Sequence, residues 1–145
     1  MTASQPQIPT SQDAAIVLAL AETAVPFSTC REDEAERWVR VLRMHGQVGG
    51  ALQALGVGEA PLETIADTPS ACTPRQQGTN SVTEVARAAD RFAFARRARL
   101  VGTVDVLFGV FEVYGSAFDR ALYVRGASRE ELIERLAAEA QPAAI

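Results

Sequence analysis

Few residues in this chain are of the types that perform catalysis. His45 is the only histidine among 145 residues, and it stands beside Gly46, where a helix is expected to end. That position is typical of a solvated helix terminus, and no Ser/His/Asp or Cys/His set can be assembled around this histidine. Cys30 also lies near a predicted helix end, without a neighbour that would activate its thiol. We therefore expect neither an active site nor a cofactor.

The cysteine and carboxylate residues do not have the spacing of metal ligands. Cys30 and Cys72 are the only cysteines, and they are either free thiols in a reducing cytoplasm or the two halves of one disulfide bond. The carboxylates cluster at 32–36 and at 130–131. Both clusters lie at predicted helix starts, where the positive end of the helix dipole explains them. We expect no metal site.

Charge and hydropathy limit the classes of partner. With 14 basic and 18 acidic residues the net charge is −4, which does not favour a nucleic-acid partner. The short cluster of Arg96, Arg97 and Arg99 lacks interleaved aromatic residues, and we interpret it as a solvated helix end. The start of the chain, MTASQPQIPTSQ, is not a signal peptide, and no apolar run approaches the roughly 18 residues of a membrane helix. We expect a cytoplasmic protein without a membrane partner.

Apolar residues at helical spacing cover most of the chain. Ser11 or Asp13 can cap the first helix, and Pro26 ends it. Ser128 and Glu131 form a capping box for the last helix. Predicted helices cover residues 11–25, 32–46, 47–56, 60–67, 81–100, 103–115, 116–126 and 128–140, with a linker at about 68–80 and flexible tails at 1–10 and 139–145.

The two halves of the chain carry the same pattern. Each half has an apolar face that it cannot bury alone, so the halves are expected to pack on one another. We predict an all-α fold, a pseudo-twofold repeat of two four-helix units with about eight helices, over about 11–67 and 81–138. Apolar residues of the second helix of each unit are expected to be buried. The matched pairs are Trp38/Leu107, Val39/Phe108, Val41/Val110, Leu42/Phe111 and Gly46/Gly115 at an offset of 69, and Ala51/Ala121, Leu52/Leu122, Gly56/Gly126 and Leu62/Leu132 at an offset of 70.

The same residues carry a resemblance to a known family. The stretch VGTVDVLFGVFEVYGSAFDRALYVRGAS, residues 101–128, resembles the Clp amino-terminal repeat, whose usual form begins V-G-T-E-H-I-L-L-G-L and ends in a helix closing with L-G-V-S. In the first half, VLALAETAV and GGALQALGVG resemble the first helix and the end of the third helix. The resemblance covers about residues 11–138. Matching positions of the second repeat are Val101, Gly102, Thr103, Leu107, Gly109, Leu122, Gly126 and Ser128.

The resemblance implies a binding function without chemistry. In Clp ATPase chaperones such as ClpC and ClpA, this double repeat is the amino-terminal domain, which docks substrates and adaptor proteins. The present sequence has no G-x-x-x-x-G-K-[ST] phosphate loop, so we expect a freestanding domain rather than the ATP-driven unfoldase. It would act as an adaptor, modulator or competitor, with a Clp ATPase, a Clp adaptor or a substrate peptide as partner.

Two alternative functions remain open. The chain could be a decoy that sequesters cyclic peptide antibiotics, because the resemblance extends to the antibiotic-binding domain of actinobacterial ClpC. It could also be a structural self-association module unrelated to Clp, for which exposed Tyr114, Phe118 and Tyr123 would be support. Helical spacing fits the core equally well for these three aromatic residues.

The glutamate of G-T-E-H in ClpC-like repeats can receive phosphorylated arginine. The resemblance places this position at Val104, followed by Asp105, and a valine cannot balance a guanidinium charge. In the first repeat the motif is replaced by residues 33–36. Glu34 or Glu36 either takes over part of the role or is a helix-start acid facing water, and we favour the second interpretation.

A second surface of the family lies where the first helices of the two repeats approach each other, and it binds adaptors. An aromatic residue expected there near Gly78 is missing, and Leu18 and Ala86 fit the core between the repeats equally well. We predict that this surface, rather than the G-T-E-H positions, binds the partner. The positions that the resemblance assigns to it are Ala15, Leu18, Gly78, Thr83, Ala86 and Arg87.

Overall fold

The computed structural model describes residues 8–28, 30–58 and 81–140. No strand forms within these ranges apart from a single β-bridge between Thr10 and Val101, so the all-α prediction is confirmed. The predicted helix at 60–67, the linker at 68–80 and the repeat position Leu62 lie outside the described residues. The helices are α1 (Gln12–Ala24), α2 (Arg31–Leu42), α3 (Gly46–Ala54), α4 (Ser81–Ala95), α5 (Thr103–Tyr114), α6 (Ser116–Tyr123) and α7 (Arg129–Ala140), with a 3-10 turn at Val25–Phe27.

Local signals in the sequence set several helix ends as predicted. The Ser11 hydroxyl oxygen accepts a hydrogen bond from the Ala14 amide at 3.2 Å and thereby caps α1. The Ser128 hydroxyl oxygen accepts from the Glu131 amide at 3.1 Å at the start of α7. Short side chains before a helix therefore satisfy amides that would otherwise have no partner inside it.

Other boundaries differ from the prediction. Helix α4 ends at Ala95 instead of reaching residue 100, because the chain reverses there with Arg97 at φ 57°. Residues 8–10 were predicted to belong to a flexible tail, yet the Val101 amide donates to the Pro9 carbonyl at 2.8 Å and fixes them. Helix α2 ends at Leu42 instead of reaching residue 46. Helix α7 ends at Ala140 as predicted for the last helix, so only the start of the second predicted tail, at residue 139, is placed too early. Contacts with distant residues, which composition does not reveal, hold the N-terminal segment.

The core forms where helices of the two halves pack on each other. Helix α2 packs on α6, α5 packs on α3, and α2 and α5 also contact one another. Helix α4 packs along α5, and α3 packs on α7. Trp38, Leu52 and Phe118 are fully buried at these interfaces. Helices α2, α3 and α6 therefore bury apolar residues largely against the other half, whereas α5 packs mainly along α4 of its own half and also contacts α2 and α3.

Matched glycines of the two halves share a positive φ, and matched apolar residues share burial. Gly46 and Gly115 both have positive φ, at 73° and 54°, and Gly56 and Gly126 follow with 82° and 86°. Positive φ is sterically unfavourable for residues with a side chain, whereas glycine adopts it readily. The pairs Trp38/Leu107, Val41/Val110, Leu42/Phe111, Ala51/Ala121 and Leu52/Leu122 are buried at both members.

One expected core residue is only half-buried. Phe108 was predicted to lie inside with Leu107, but it lies at the edge of α5 and contacts the core from there. Its ring centroid is 5.7 Å from that of Phe92 and 5.9 Å from that of Phe111. Helix α5 is apolar on most sides, so the sequence did not reveal which residue would lie at its rim.

Gly109 sets the distance between α4 and α5 and gives a test of this packing. A Cβ atom there would lie 2.7 Å from the Val85 carbonyl oxygen, which belongs to backbone and cannot swing away. We expect Gly109→Ala to lower the free energy of unfolding by about 1–3 kcal/mol in urea denaturation. The matched control is Gly50→Ala, because a Cβ at Gly50 meets nothing within 4 Å and alanine favours the helix. That variant should be neutral or more stable by up to about 1 kcal/mol. Equal effects at both glycines would contradict the close approach of α4 and α5.

Candidate functional site

The surface between α1 and α4 holds the positions assigned to partner binding. The two helices contact each other. Ala15 and Arg87 are exposed, whereas Leu18, Thr83 and Ala86 are half-buried. Gly78 lies outside the described residues. We call the five described positions the α1–α4 surface.

The α1–α4 surface offers small and mostly apolar contacts. Ala15 and Leu18 are three residues apart and Thr83, Ala86 and Arg87 are three and four apart, so each set lies on one side of its helix. Leu18 also packs against the core, as one interpretation of the sequence expected. An apolar partner side chain can therefore contact alanine and leucine on these helices, and Arg87 adds an exposed positive charge on α4.

The acidic positions of the first repeat form a different arrangement from the one expected. Glu34 is only 2% exposed, so its interpretation as an acid facing water is wrong. Its carboxylate accepts a hydrogen bond from the Tyr114 hydroxyl group at 2.8 Å. The Trp38 indole N–H donates to the same tyrosine oxygen at 3.1 Å. A buried polar network thus connects α2 in the first half to α5 in the second.

Tyr114 remains protonated in this network over the whole neutral range. Burial of its hydroxyl group disfavours the tyrosinate anion and raises its pKa well above the ordinary value, and the neighbouring carboxylate of Glu34 raises it further. Hydrogen bonds from Ser81 and Trp38 act in the opposite direction without reversing the shift. The hydroxyl group is therefore a permanent donor to Glu34.

Glu36 connects the two halves a second time. Its carboxylate lies 3.2 Å from a guanidinium nitrogen of Arg125, whose side chain is fully buried. Another nitrogen of that guanidinium donates to the Ala121 carbonyl at 2.9 Å. The carboxylate therefore compensates a buried positive charge of the same chain.

The second-repeat positions show the same internal compensation. Asp105 is 1% exposed, and both its oxygens accept hydrogen bonds from the Arg96 guanidinium, at 2.8 and 2.6 Å. One of them also accepts from the Gly102 amide at 2.9 Å, which caps α5. Val104, which the resemblance aligns with the glutamate of G-T-E-H, is half-buried and packs against the core.

These contacts leave little for a ligand guanidinium to bind. Glu34, Glu36 and Asp105 each already accept hydrogen bonds from side chains of this chain. Replacing Arg96 on Asp105 would require breaking a bidentate pair, the strongest hydrogen-bonded geometry available to a carboxylate. Binding of a ligand guanidinium group at Glu34, Glu36 and Asp105 is therefore disfavoured by geometry, and Val104 has no charge to offer.

The remaining candidate residues have structural surroundings. His45 is half-buried and directly precedes α3, where its side chain makes no capping hydrogen bond. Cys30 precedes α2 and is disulfide-bonded, so it is not a free thiol; Cys72, the only other cysteine, lies outside the described residues. Within the described ranges no three His, Cys, Asp or Glu side chains group as metal ligands would. None of the helices described between residues 8 and 140 combines the length and apolar character needed to cross a bilayer.

A scan against protein-family models and a search of curated proteins both find no match to this chain.

Sequence reasoning missed the network around Tyr114 and the burial of Arg125. Tyr114 is 76 and 80 residues from its partners, and nothing in its own neighbourhood marks it as polar core. Arg125 precedes a helix-ending glycine, a position at which solvation is the usual expectation. The single available signal was the acidic run at 32–36, which was interpreted through the helix dipole alone.

Removing the Tyr114 hydroxyl group tests the network. In Tyr114→Phe the ring still fills its space, but the Glu34 carboxylate and the Trp38 N–H each lose a buried partner. We expect the free energy of unfolding to fall by about 1–3 kcal/mol in urea denaturation. Tyr123→Phe is the control, since Tyr123 is 64% exposed and its hydroxyl loss should change stability by less than about 0.5 kcal/mol. Matching effects of the two substitutions would mean that the Tyr114 hydrogen bonds contribute nothing.

The raised pKa of Tyr114 also predicts a pH dependence with a definite sign. The unfolded chain ionises this tyrosine near pH 10, whereas the folded chain does so only at higher pH. The stabilising contribution is therefore complete below about pH 10 and is lost as the pH rises further. The stability difference between wild type and Tyr114→Phe should be constant from pH 8 to 9 and shrink above pH 10, by at most about 1.4 kcal/mol per pH unit. A difference that widens in that range would contradict the assignment.

Proposed function

We propose that this chain is a non-catalytic binding protein of the Clp amino-terminal class, built from two four-helix repeats, that acts as an adaptor, modulator or competitor in a Clp ATPase and protease system. The observation that carries the proposal is the matched backbone of the two halves. Gly46 and Gly115, and then Gly56 and Gly126, have positive φ at the offsets at which the sequence pattern repeats. Positive φ at corresponding glycines supports a duplicated unit.

Packing between the halves supports the same interpretation. Helix α2 packs on α6 and α5 packs on α3, so the second helix of each half meets the third helix of the other. A pseudo-twofold arrangement produces this reciprocity, because each interface then occurs twice. The cytoplasm remains the proposed location, although the disulfide-bonded Cys30 would be unusual in a reducing compartment.

Partner binding is assigned to the α1–α4 surface. The alternative positions, Glu34, Glu36 and Asp105, already bind side chains of this chain. By contrast, Ala15 and Arg87 are accessible, and Leu18 and Ala86 supply apolar contact area between them. This surface is suited to a peptide or protein segment that offers apolar side chains.

The two alternative functions have less support. Of the three aromatic residues that self-association would use, only Tyr123 is exposed, because Tyr114 is 2% exposed and Phe118 is fully buried. A cyclic peptide antibiotic is the ligand of the decoy hypothesis. Alanine, leucine and threonine side chains give it less contact area than an aromatic anchor would.

Competition with a Clp ATPase tests the proposal. The purified chain, added in excess to a reconstituted ClpC and peptidase system degrading an adaptor-delivered substrate, should change the initial degradation rate at least twofold. Ala15→Glu should abolish the change, because it introduces a charge into the centre of the α1–α4 surface. The control is Ala54→Glu, an equally exposed alanine at the end of α3.

Three other outcomes would each contradict the proposal. An unchanged degradation rate, together with no binding of the chain to ClpC, its adaptor or the substrate, would contradict a function in the Clp system. Equal effects of Ala15→Glu and Ala54→Glu would contradict the assignment of partner binding to the α1–α4 surface. Tight binding of a cyclic peptide such as those that target ClpC, without binding to Clp proteins, favours the decoy.

A further inference from the structure

A groove of about 640 Å³ lies at the end of α4, away from the α1–α4 surface residues. Ile8 and Pro9 form one wall, and Phe94, Arg97 and Arg99 contribute to the other. We call it the Phe94 groove. Its volume falls within the range of sites that hold small ligands or a few residues of a peptide.

Backbone hydrogen bonds hold the two walls of the Phe94 groove together. The Val101 amide donates to the Pro9 carbonyl at 2.8 Å, and the Ser11 amide donates to the Val101 carbonyl at 2.9 Å. The Ile8 amide donates to the Asp90 carboxylate on α4 at 3.1 Å. The groove therefore exists without a ligand, and binding does not require the chain to order its walls.

The Phe94 groove combines an exposed aromatic ring with uncompensated positive charge. Phe94 is 63% exposed, and nearby Leu100 is 49% exposed. Arg91 and Arg96 of the same region are paired with Glu112 and Asp105. Arg97 and Arg99 are also exposed, but neither forms an ion pair with any residue in the described part of the chain.

Arg97 is held in a conformation that folding alone would assign to glycine. Its φ is 57°, in the left-handed region. The Ala98 amide donates to the Ala93 carbonyl and the Arg97 amide to the Phe94 carbonyl, which is the hydrogen-bond pattern of a Schellman helix end. Glycine is the usual residue at this position, and a side chain there is strained. The left-handed backbone at Arg97 lowers the stability of the fold, and the Arg97 side chain lines the groove.

We propose that the Phe94 groove binds an extended acidic peptide segment that carries an apolar side chain. Carboxylates of the segment pair with Arg97 and Arg99, and the apolar side chain packs on the Phe94 ring. Two unpaired arginines beside one exposed aromatic ring suit a short acidic segment, because they offer too few positive charges for a long polyanion such as a nucleic acid. This site uses none of the α1–α4 surface residues, so the two proposals can fail separately.

A defined peptide tests the Phe94 groove on the intact chain. The probe is the fluorescein-labelled octapeptide Glu-Asp-Glu-Leu-Phe-Glu-Asp-Glu, with binding followed by fluorescence anisotropy. One control peptide replaces every acidic residue with lysine, and another replaces Leu and Phe with serine. We expect saturable binding of the acidic apolar probe alone, weakened by 0.5 M salt because its ion pairs are exposed.

Arg97→Gly separates binding from folding. It removes the guanidinium group and relieves the strained backbone, so the variant should bind the probe about tenfold more weakly while unfolding at a higher temperature. Phe94→Ala should also weaken binding about tenfold, as expected for an aromatic anchor. Arg40→Ala, which removes another exposed arginine from α2, should leave the dissociation constant unchanged.

Several results would overturn the proposal. These are no binding of the probe at millimolar concentration, equal binding of the lysine peptide, or equal affinities of wild type, Arg97→Gly and Phe94→Ala. An Arg97-dependent interaction with a single-stranded oligonucleotide or with anionic phospholipid vesicles that is tighter than the interaction with the probe would also reject an acidic peptide as the ligand.

Discussion

The Tyr114 hydroxyl group extends from α5 in the second half of the chain to Glu34 and Trp38 on α2 in the first half. Both partners are buried, so neither can replace the tyrosine with bulk water. An apolar interface between α2 and α5 would tolerate sliding or rotation, but three polar groups with fixed geometry allow one register. The relative position of the halves, and with it the packing of α2 on α6 and α5 on α3, depends on this contact.

Internal charge compensation decides where the chain can bind. Arg125 and Arg96 donate hydrogen bonds to the carboxylates of Glu36 and Asp105, and the Tyr114 hydroxyl group donates to Glu34. The pairs of Glu34 and Glu36 join residues 80 and 89 positions apart in the sequence, and the pair of Asp105 joins the chain after α4 to the first turn of α5. Releasing an acid for an external ligand would therefore also loosen the fold. The acidic positions are thus part of the structure.

Sequence reasoning predicted the features that local rules determine. Ser11 as a cap and Gly115 at the end of α5 follow from side-chain and backbone geometry within a few residues. The prediction that Gly46 ends the second helix is wrong, because α2 ends at Leu42 and Gly46 begins α3. Sequence reasoning failed where tertiary contacts decide. Glu34 was assigned to water because its partner lies 80 residues away, and Phe108 was assigned to the core because α5 is apolar on most sides. The groove was missed because its walls, residues 8–9 and 94–99, meet only in the folded chain.

Arg97 shows how a cost to folding can identify a binding surface. A chain that gained only stability from the end of α4 would place glycine in the left-handed position, as it does at Gly46, Gly56 and Gly126. Here an arginine occupies that position, and the adjacent Phe94 ring remains exposed although most described aromatic residues are buried or half-buried. Neither feature improves packing, and both place their side chains on one preformed groove. The end of α4 does not require an arginine in the left-handed position or an exposed phenylalanine. A ligand that pairs with the Arg97 guanidinium and packs on the Phe94 ring explains why both side chains line the same groove.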